Sequence, residues 1–375
     1  MKKILLVFGT RPEAIKMAPL VKEFKKNSNL FETKICVTAQ HREMLDQVLN
    51  FFELQPDYDL NLMKPDQNLH SLTSLIIEEL RQVIDDFCPD FIFVHGDTTT
   101  TMASSLSAFY SNISVCHVEA GLRTNKKYSP FPEEINRQIT SRISSYHFAP
   151  TQTSKDNLIK ENISKETILV TGNTVIDALF FSLNKIKEFS SDNVRFIKSN
   201  IKDYNDIILV TAHRRENHGD GFEKICSAIK KIASTEPNII IVYPVHLNPN
   251  VKNPVTKYLS KTENILLVDP LSYPEFIWLM NRSKLVLTDS GGLQEEAPSI
   301  GKPVLLMRET TERPEAINSG NVILVGTDKE LIINETKALL NDDEKYKQMS
   351  ELKNPYGDGN ASKKIVDFIK KIDDV

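Results

Sequence analysis

Residues able to move protons or hold a diphosphate recur in short motifs along this chain of 375 residues, each following an apolar run. The first is Gly9-Thr10-Arg11-Pro12-Glu13-Ala14-Ile15-Lys16. Its glycine permits a tight turn, and Pro12 suits the first turn of a helix. Helix N-termini attract anions, and Arg11 and Lys16 add full positive charge. A plain strand–helix turn with solvated charges fits the same spacing. The second motif is His95-Gly96-Asp97-Thr98-Thr99-Thr100-Thr101. Asp97 there could serve chemistry or, like Thr98, cap a helix. The third is denser: His117-Val118-Glu119-Ala120-Gly121-Leu122-Arg123, then Pro132-Glu133-Glu134-Ile135-Asn136-Arg137. Glu119 ends an apolar strand, where a carboxylate needs a partner or a task. Glu133 and Glu134 could act on a substrate or complement a helix dipole.

The second half repeats the pattern with His213-Arg214-Arg215-Glu216-Asn217, with Tyr243-Pro244-Val245-His246, and with Asp289-Ser290-Gly291-Gly292-Leu293-Gln294-Glu295-Glu296. Arg308 and Arg313 follow in a further polar segment. Ser290, Gly291 and Gly292 at a helix mouth offer backbone N–H groups and a hydroxyl to a diphosphate. Glu295 and Glu296 could accept hydrogen bonds from ribose hydroxyls. No G-x-G-x-x-G, P-loop, H-E-x-x-H or G-x-S-x-G is present, and the histidines lack metal-ligand spacing, so neither cofactor nor metal is expected.

These motifs must be positioned by the elements around them. Apolar runs at Ile4–Phe8, Thr33–Val37, Phe91–His95, Ser114–Val118, His147–Ala149 and Ile168–Val170 predict one set of strands. Runs at Ile207–Thr211, Ile239–Tyr243, Ile265–Val268, Leu285–Thr288, Val304–Leu306 and Val322–Val325 predict a second. Amphipathic helices separate them, such as Ala14–Lys26, His41–Phe52, Glu133–Ser144, Phe222–Ala233 and Tyr273–Asn281. Continuous apolar strands alternating with helices mean parallel sheets covered on both faces. A dozen strands is too many for one ordinary sheet, so an α/β chain with two doubly wound, Rossmann-like domains is expected. The division falls in Asn173–Asp203, where a helix Val175–Phe189 leads into a polar stretch read as irregular. A last amphipathic helix is expected over Ala361–Asp373. In such sheets ligands bind beyond the carboxyl ends of the strands, where the motifs fall.

Composition narrows the function further. Lys plus Arg is 46 and Asp plus Glu is 50, a net charge of -4 that argues against binding nucleic acid through bulk positive charge. The longest apolar runs are far too short to span about 30 Å of hydrocarbon, so no membrane partner is expected. Cys36, Cys88, Cys116 and Cys226 form no C-x-x-C; with no apolar leader at the start, they read as free thiols of a cytoplasmic protein. Of 12 arginines against 34 lysines, eight fall in the strand-end motifs, as if gathered for one small anion.

Taken together, and with Gln40-His41-Arg42 and Thr171-Gly172-Asn173 added, the motifs resemble those of the bacterial non-hydrolysing UDP-N-acetylglucosamine 2-epimerases, in order and over nearly the whole chain. The resemblance implies the glycosyltransferase-B fold: two Rossmann-like domains facing a cleft, in a homodimer. It places residues 1–173 plus 358–375 in the N-terminal domain, with the last helix returning to it, and 174–357 in a UDP-binding domain. It implies interconversion of UDP-N-acetylglucosamine and UDP-N-acetylmannosamine, feeding surface polysaccharide synthesis. The C2 hydrogen is not adjacent to a carbonyl, and a redox route would need the dinucleotide site that is missing. The route left is elimination of UDP to 2-acetamidoglucal and re-addition. By the same resemblance Asp97, Glu119 and Glu133 match the acid/base carboxylates and His213 the histidine near the diphosphate. Arg11, Lys16, Arg137, Ser290, Gly291, Gly292, Glu296 and Arg313 match substrate-binding positions. Gln40, His41 and Arg42 match a segment through which substrate activates many relatives; Glu43 and Asp66 depart from an amide and a basic residue found in some of them. A hydrolysing epimerase and a UDP-sugar-dependent glycosyltransferase on the same fold are the alternatives. A non-catalytic UDP-sugar sensor would bind without turnover.

Overall fold

The apolar runs assemble into two separate parallel sheets. A computed structural model describes residues 1–38, 42–63 and 67–372, and the chain forms two compact units: Met1–Phe181 with Tyr356–Val375, and Ser182–Pro355. The first unit holds β1 (Lys2–Phe8), β2 (Phe31–Val37), β3 (Tyr58–Asp59), β4 (Phe91–His95), β5 (Ser114–Val118), β6 (Tyr146–Ala149) and β7 (Ile168–Val170). Their order is β3-β2-β1-β4-β5-β6-β7. The second holds β8 (Asp206–Thr211), β9 (Ile239–Pro244), β10 (Ile265–Val268), β11 (Leu285–Thr288), β12 (Val304–Leu306) and β13 (Val322–Leu324), in the order β10-β9-β8-β11-β12-β13. Strand order reverses between β1 and β4 and between β8 and β11, the switch points at which open α/β sheets leave a crevice for a ligand.

The central strands are apolar along their whole length because helices cover both faces. Ile4 to Phe8 and Ile208 to Val210 are buried without interruption. Register then decides which strand ends become neighbours. His95 of β4 pairs opposite Val118 of β5, and Thr288 of β11 opposite Thr211 of β8. The residues just beyond those pairs are Gly96-Asp97 beside Glu119, and Asp289 beside Ala212-His213.

The polar stretch expected to be irregular contains a helix, Asp192–Ile201. Ser191 caps it by accepting from Val194 N at 3.2 Å, and Val194, Ile197 and Ile201 form its buried stripe. The terminal helix Ala361–Ile369 packs within the first unit. Asp177 accepts from the N–H groups of Ala361 and Ser362 at 3.2 and 2.8 Å, and Phe368 lies edge-on to Tyr146 and Phe148. All four cysteines are free thiols, and Cys88 is exposed. Among the described residues no helix is long and apolar enough to cross a membrane.

Candidate active site

In the first unit the site forms at the carboxyl ends of β1, β4 and β5. The helix Arg11–Lys26 begins with Arg11, behind the cap Thr10. Glu13 is buried and ties two strand-end loops together. Its Oε2 accepts from Gly9 N and Thr10 N at 3.0 and 2.8 Å, and its Oε1 from the hydroxyls of Thr98 and Thr101 at 2.6 and 3.2 Å. Gly9 must be a glycine here, since a Cβ would stand 2.0 Å from Thr38 Oγ1 and 2.7 Å from Thr100 Oγ1.

The helix Thr99–Tyr110 is capped by Thr98, whose Oγ1 accepts from Thr101 N at 3.1 Å. Asp97 is therefore not the cap, and its Oδ2 accepts instead from Arg137 of the helix Glu133–Ile143. Asn136 of the same helix donates to the Asp97 carbonyl at 3.0 Å. Glu119 sits at φ 62, a left-handed conformation that costs a non-glycine residue on the order of 1–3 kcal/mol and concentrates at functional sites. Its Oε2 accepts from Lys16 Nζ and, at 2.6 Å, from Asn173 Nδ2. His95 Nε2 lies 3.7 Å from the same oxygen.

Burial pushes the Asp97 carboxyl above its ordinary value; Arg137 and Lys16 pull it down, while Glu119 and Glu133 push it up again. Lys16, Asp97, Glu119, Glu133 and Arg137 thus share one electrostatic neighbourhood. Glu133 Oε2 is buried with no hydrogen-bond partner, an unusual state for a carboxylate oxygen that a ligand would relieve. The two histidines beneath the carboxylates are neutral at physiological pH. Burial lowers His95 to about 4, against the opposing charge of Glu119, and lowers His117 to about 3. His117 Nε2 donates to the Gly96 carbonyl at 2.7 Å, which fixes the turn bearing Asp97.

Neighbouring motif residues turn out to be scaffold. Glu134 is fully buried and accepts from Thr124 N and Asn125 N, both at 3.0 Å. Arg123 grips Glu161 through Nε and Nη2 at 2.6 and 2.7 Å. Of the segment linked to activation, Gln40 and His41 lie outside the described residues, as does Asp66. Arg42 is half-exposed, with Asp59 and Asp46 at 2.6 and 3.2 Å.

The second unit builds a different cluster at the carboxyl ends of β8, β11 and β12. Asp289 is fully buried. Its Oδ2 accepts from His213 N and Arg214 N, both at 2.8 Å, and from Asn217 Nδ2 at 3.2 Å. One carboxylate thus shapes the whole loop after β8. The His213 ring stacks on His246 at 5.6 Å, with Nδ1 3.6 Å from Asp289 Oδ1. Burial lowers its pKa against the pull of Asp289, and Arg214 and His246 lower it further, so the imidazole is neutral at physiological pH.

Ser290, Gly291 and Gly292 precede a single α turn, Leu293–Glu296, which passes into a 3-10 turn, Ala297–Ile300. The expected helix mouth is therefore short, and it offers local N–H groups rather than a long macrodipole. Glu295 is 1 % exposed and paired with Arg313 Nε, so it is not placed for a ribose; Glu296 is half-buried. Arg313 also donates from Nη1 to Glu312 at 2.6 Å, and Arg308 bridges Glu216 and Glu312 at 2.7 and 2.9 Å. Although burial opposes it, these two arginines lower the Glu312 carboxyl to about 2. Several guanidinium groups that seemed gathered for an anion are thus bound to the protein's own carboxylates.

Sequence reasoning assigned no role to Glu13, Asn173 or Asp289, although each lies in a quoted motif. The available signal was a buried-type polar residue beside a strand end, but their partners lie 85, 54 and 76 positions away in sequence.

Two doubly wound parallel sheets, each with a polar cluster beyond its strand ends, define a two-domain α/β enzyme. The family model described as UDP-N-acetylglucosamine 2-epimerase matches residues 22–370, and the chain belongs to that family. The chain is similar to the UDP-N-acetylglucosamine 2-epimerase of Escherichia coli K12, 56 % identical over 98 % of both chains, and to that of Campylobacter jejuni, 54 % identical over 99 % of this chain and 98 % of the relative. It also superposes on the crystal structure of the Neisseria meningitidis enzyme bound to UDP-GlcNAc, with a TM-score of 0.89 and 52 % identity over 99 % of this chain and 100 % of the other.

Proposed function

We propose that the chain interconverts UDP-N-acetylglucosamine and UDP-N-acetylmannosamine by elimination of UDP across C1 and C2 and its re-addition with inverted C2. A carboxylate takes the C2 proton while the C1–O bond to the β-phosphate breaks. The C–H electron pair becomes the C1=C2 double bond of 2-acetamidoglucal, and UDP leaves with the C–O pair. The UDP oxygen then re-adds at C1, and C2 receives a proton on its opposite face. The observation that carries this reading is the convergence of Asp97, Glu119 and Glu133 around Lys16 and Arg137. Two faces of one carbon need two proton-handling groups, and carboxyls whose surroundings differ can divide that work. Glu119, accepting from Lys16 and Asn173, is arranged as a charged carboxylate. Asp97 is arranged to hold a proton more readily.

Arg11, Ser290, Gly291, Gly292, Glu296 and Arg313 hold UDP in this reading, and the His213 imidazole serves its diphosphate. Activation by a second substrate molecule through Gln40, His41 and Arg42 belongs to the same proposal, with the ligand replacing Asp59 as the partner of Arg42. So do a homodimer, checked by a light-scattering mass twice the 42.6 kDa of the chain, and a product used for surface polysaccharide. The test is incubation with UDP-N-acetylglucosamine in heavy water without acceptor, followed by NMR. Deuterium at C2 of intact UDP-N-acetylmannosamine is expected. Free sugar, or no exchange at C2, overturns the reading.

A further inference from the structure

At the opposite edge of the second sheet, by the amino ends of β8 and β11, an open cavity of about 790 Å³ is lined by Lys198, Lys202, Asp206, Arg282, Lys284 and Lys302. It falls in the size range of small-ligand sites. At about 3.3 Å per residue, the length of β8 sets it some 15–20 Å from the His213 cluster in the same unit. Five cations thus face one carboxylate, in a chain whose net charge is -4.

That carboxylate is already matched. Asp206 Oδ2 lies 3.0 Å from Lys284 Nζ, which also donates to the Leu340 carbonyl at 3.4 Å. The other four cations have no carboxylate partner among the described residues. Lys198 Nζ and Arg282 Cζ lie 5.6 and 4.8 Å over the Trp278 ring, a contact that orders the charges without neutralising them. Lys202 is exposed, whereas Lys302 is half-buried. Burial alone lowers the Lys302 ammonium, with no acid offsetting it. Taking an ammonium partly out of water without a counter-charge is unfavourable, and a purely structural role would be met better by an apolar side chain or an ion pair. Lys198 and Arg282 are exposed like Lys202, so of these four cations Lys302 combines the cavity with partial burial.

We propose that this cavity binds a small polyanion bearing a chain of phosphates, held by Lys202, Arg282 and Lys302 with Lys198 at the rim. Inorganic oligophosphate and a nucleoside polyphosphate share that chemistry. The test titrates inorganic tripolyphosphate calorimetrically into the full-length protein, with and without saturating UDP, at two salt concentrations. One event that survives UDP and weakens with salt is expected. The double variant Lys202→Ala/Lys302→Met should lose about tenfold or more in affinity, the loss of two charge-assisted contacts, with its unfolding midpoint maintained. Lys202→Ala alone, at an exposed position, should lose part of the affinity and covers a failure of the double variant to fold. A parallel titration with ATP identifies the source: tighter binding than tripolyphosphate marks a nucleotide, and weaker binding the inorganic chain. No binding event, an event abolished by UDP, or an equal loss in the control Lys230→Ala/Lys231→Ala overturns the proposal.

Discussion

The two units place polar clusters at the same edge of the same kind of sheet, yet they use carboxylates in opposite ways. In the first, cations serve the carboxylates: Lys16 and Asn173 hold Glu119, and Arg137 holds Asp97. Asp97 keeps some exposure, and Glu133 keeps an unpartnered oxygen, as Asp289 does in the second unit. In the second, carboxylates serve the rest: Asp289 gathers two backbone N–H groups and an amide, while Glu295 and Glu312 fix Arg313. A shared strand-end address therefore does not imply a shared role. In the proposed reading the first acids react and the second build, and what differs between them is the donor set: side-chain cations and an amide at Asp97 and Glu119, backbone N–H groups and an amide at Asp289.

The sharpest way to break this contrast is to change one acid of each kind. Glu119→Gln should lower turnover and C2 exchange by about 10²- to 10⁴-fold, the usual worth of a positioned acid or base, while UDP affinity is unchanged by calorimetry. Near-normal exchange would remove Glu119 from the proton path. Asp289→Ala should do the reverse in kind. Stripping a fully buried acceptor from three donors should cost about 3 kcal/mol in urea unfolding. A variant of Asp289 that lost only activity would erase the distinction between the two clusters.

How far the contrast was legible beforehand depends on the distance over which it is encoded. The strands β4, β5, β7, β10, β11 and β12 follow directly from local apolar runs bounded by polar residues. β3 has only two residues, Tyr58–Asp59, and no run to announce it; it exists because Cys36 and Val37 offer an edge for pairing. The helix Asp192–Ile201 was legible from Ser191 and the spacing of Val194, Ile197 and Ile201, but the surrounding charge obscured it. Within the site, residue types at each motif were visible and roles were not. Asp97 and Thr98 are equally good caps by type, and only the folded geometry gives the cap to Thr98. Glu133 and Glu134 are adjacent acids at one helix start, and only the chain segment Thr124-Asn125 folding back separates scaffold from free carboxylate.

A smaller effect probes how Arg313 is held. A Cβ added at Gly291 would lie 2.7 Å from Arg313 Nη1 and 2.9 Å from Glu312 Oε1. Both are ends of flexible side chains, so the fold should survive while the guanidinium is displaced. Gly291→Ala should weaken UDP binding by about tenfold, one charge-assisted contact, with the unfolding midpoint little changed. Unaltered UDP affinity would show that Arg313 is wholly structural and would move it to the side of Asp289.

The smallest effect is a pH dependence at Asp97. Asp97 has its carboxyl pushed up on folding, chiefly by burial and then by Glu119 and Glu133, despite Arg137. A group whose folded pKa lies above its unfolded value, about 3.9 for Asp, binds protons more tightly in the folded state. Its favourable contribution is complete below the unfolded value and is lost as pH rises through the folded one. Asp97→Asn removes that titration while leaving an oxygen for Arg137. Urea midpoints of the variant and the parent should therefore diverge as pH rises from about 4 to about 7, in favour of the variant, even as its turnover collapses. Parallel curves would mean that folding leaves the Asp97 proton affinity unchanged, and that its charge is as well accommodated as a scaffold carboxylate. An acid that makes the fold less stable when ionised, and is needed for turnover, is one kept for chemistry at a cost in stability.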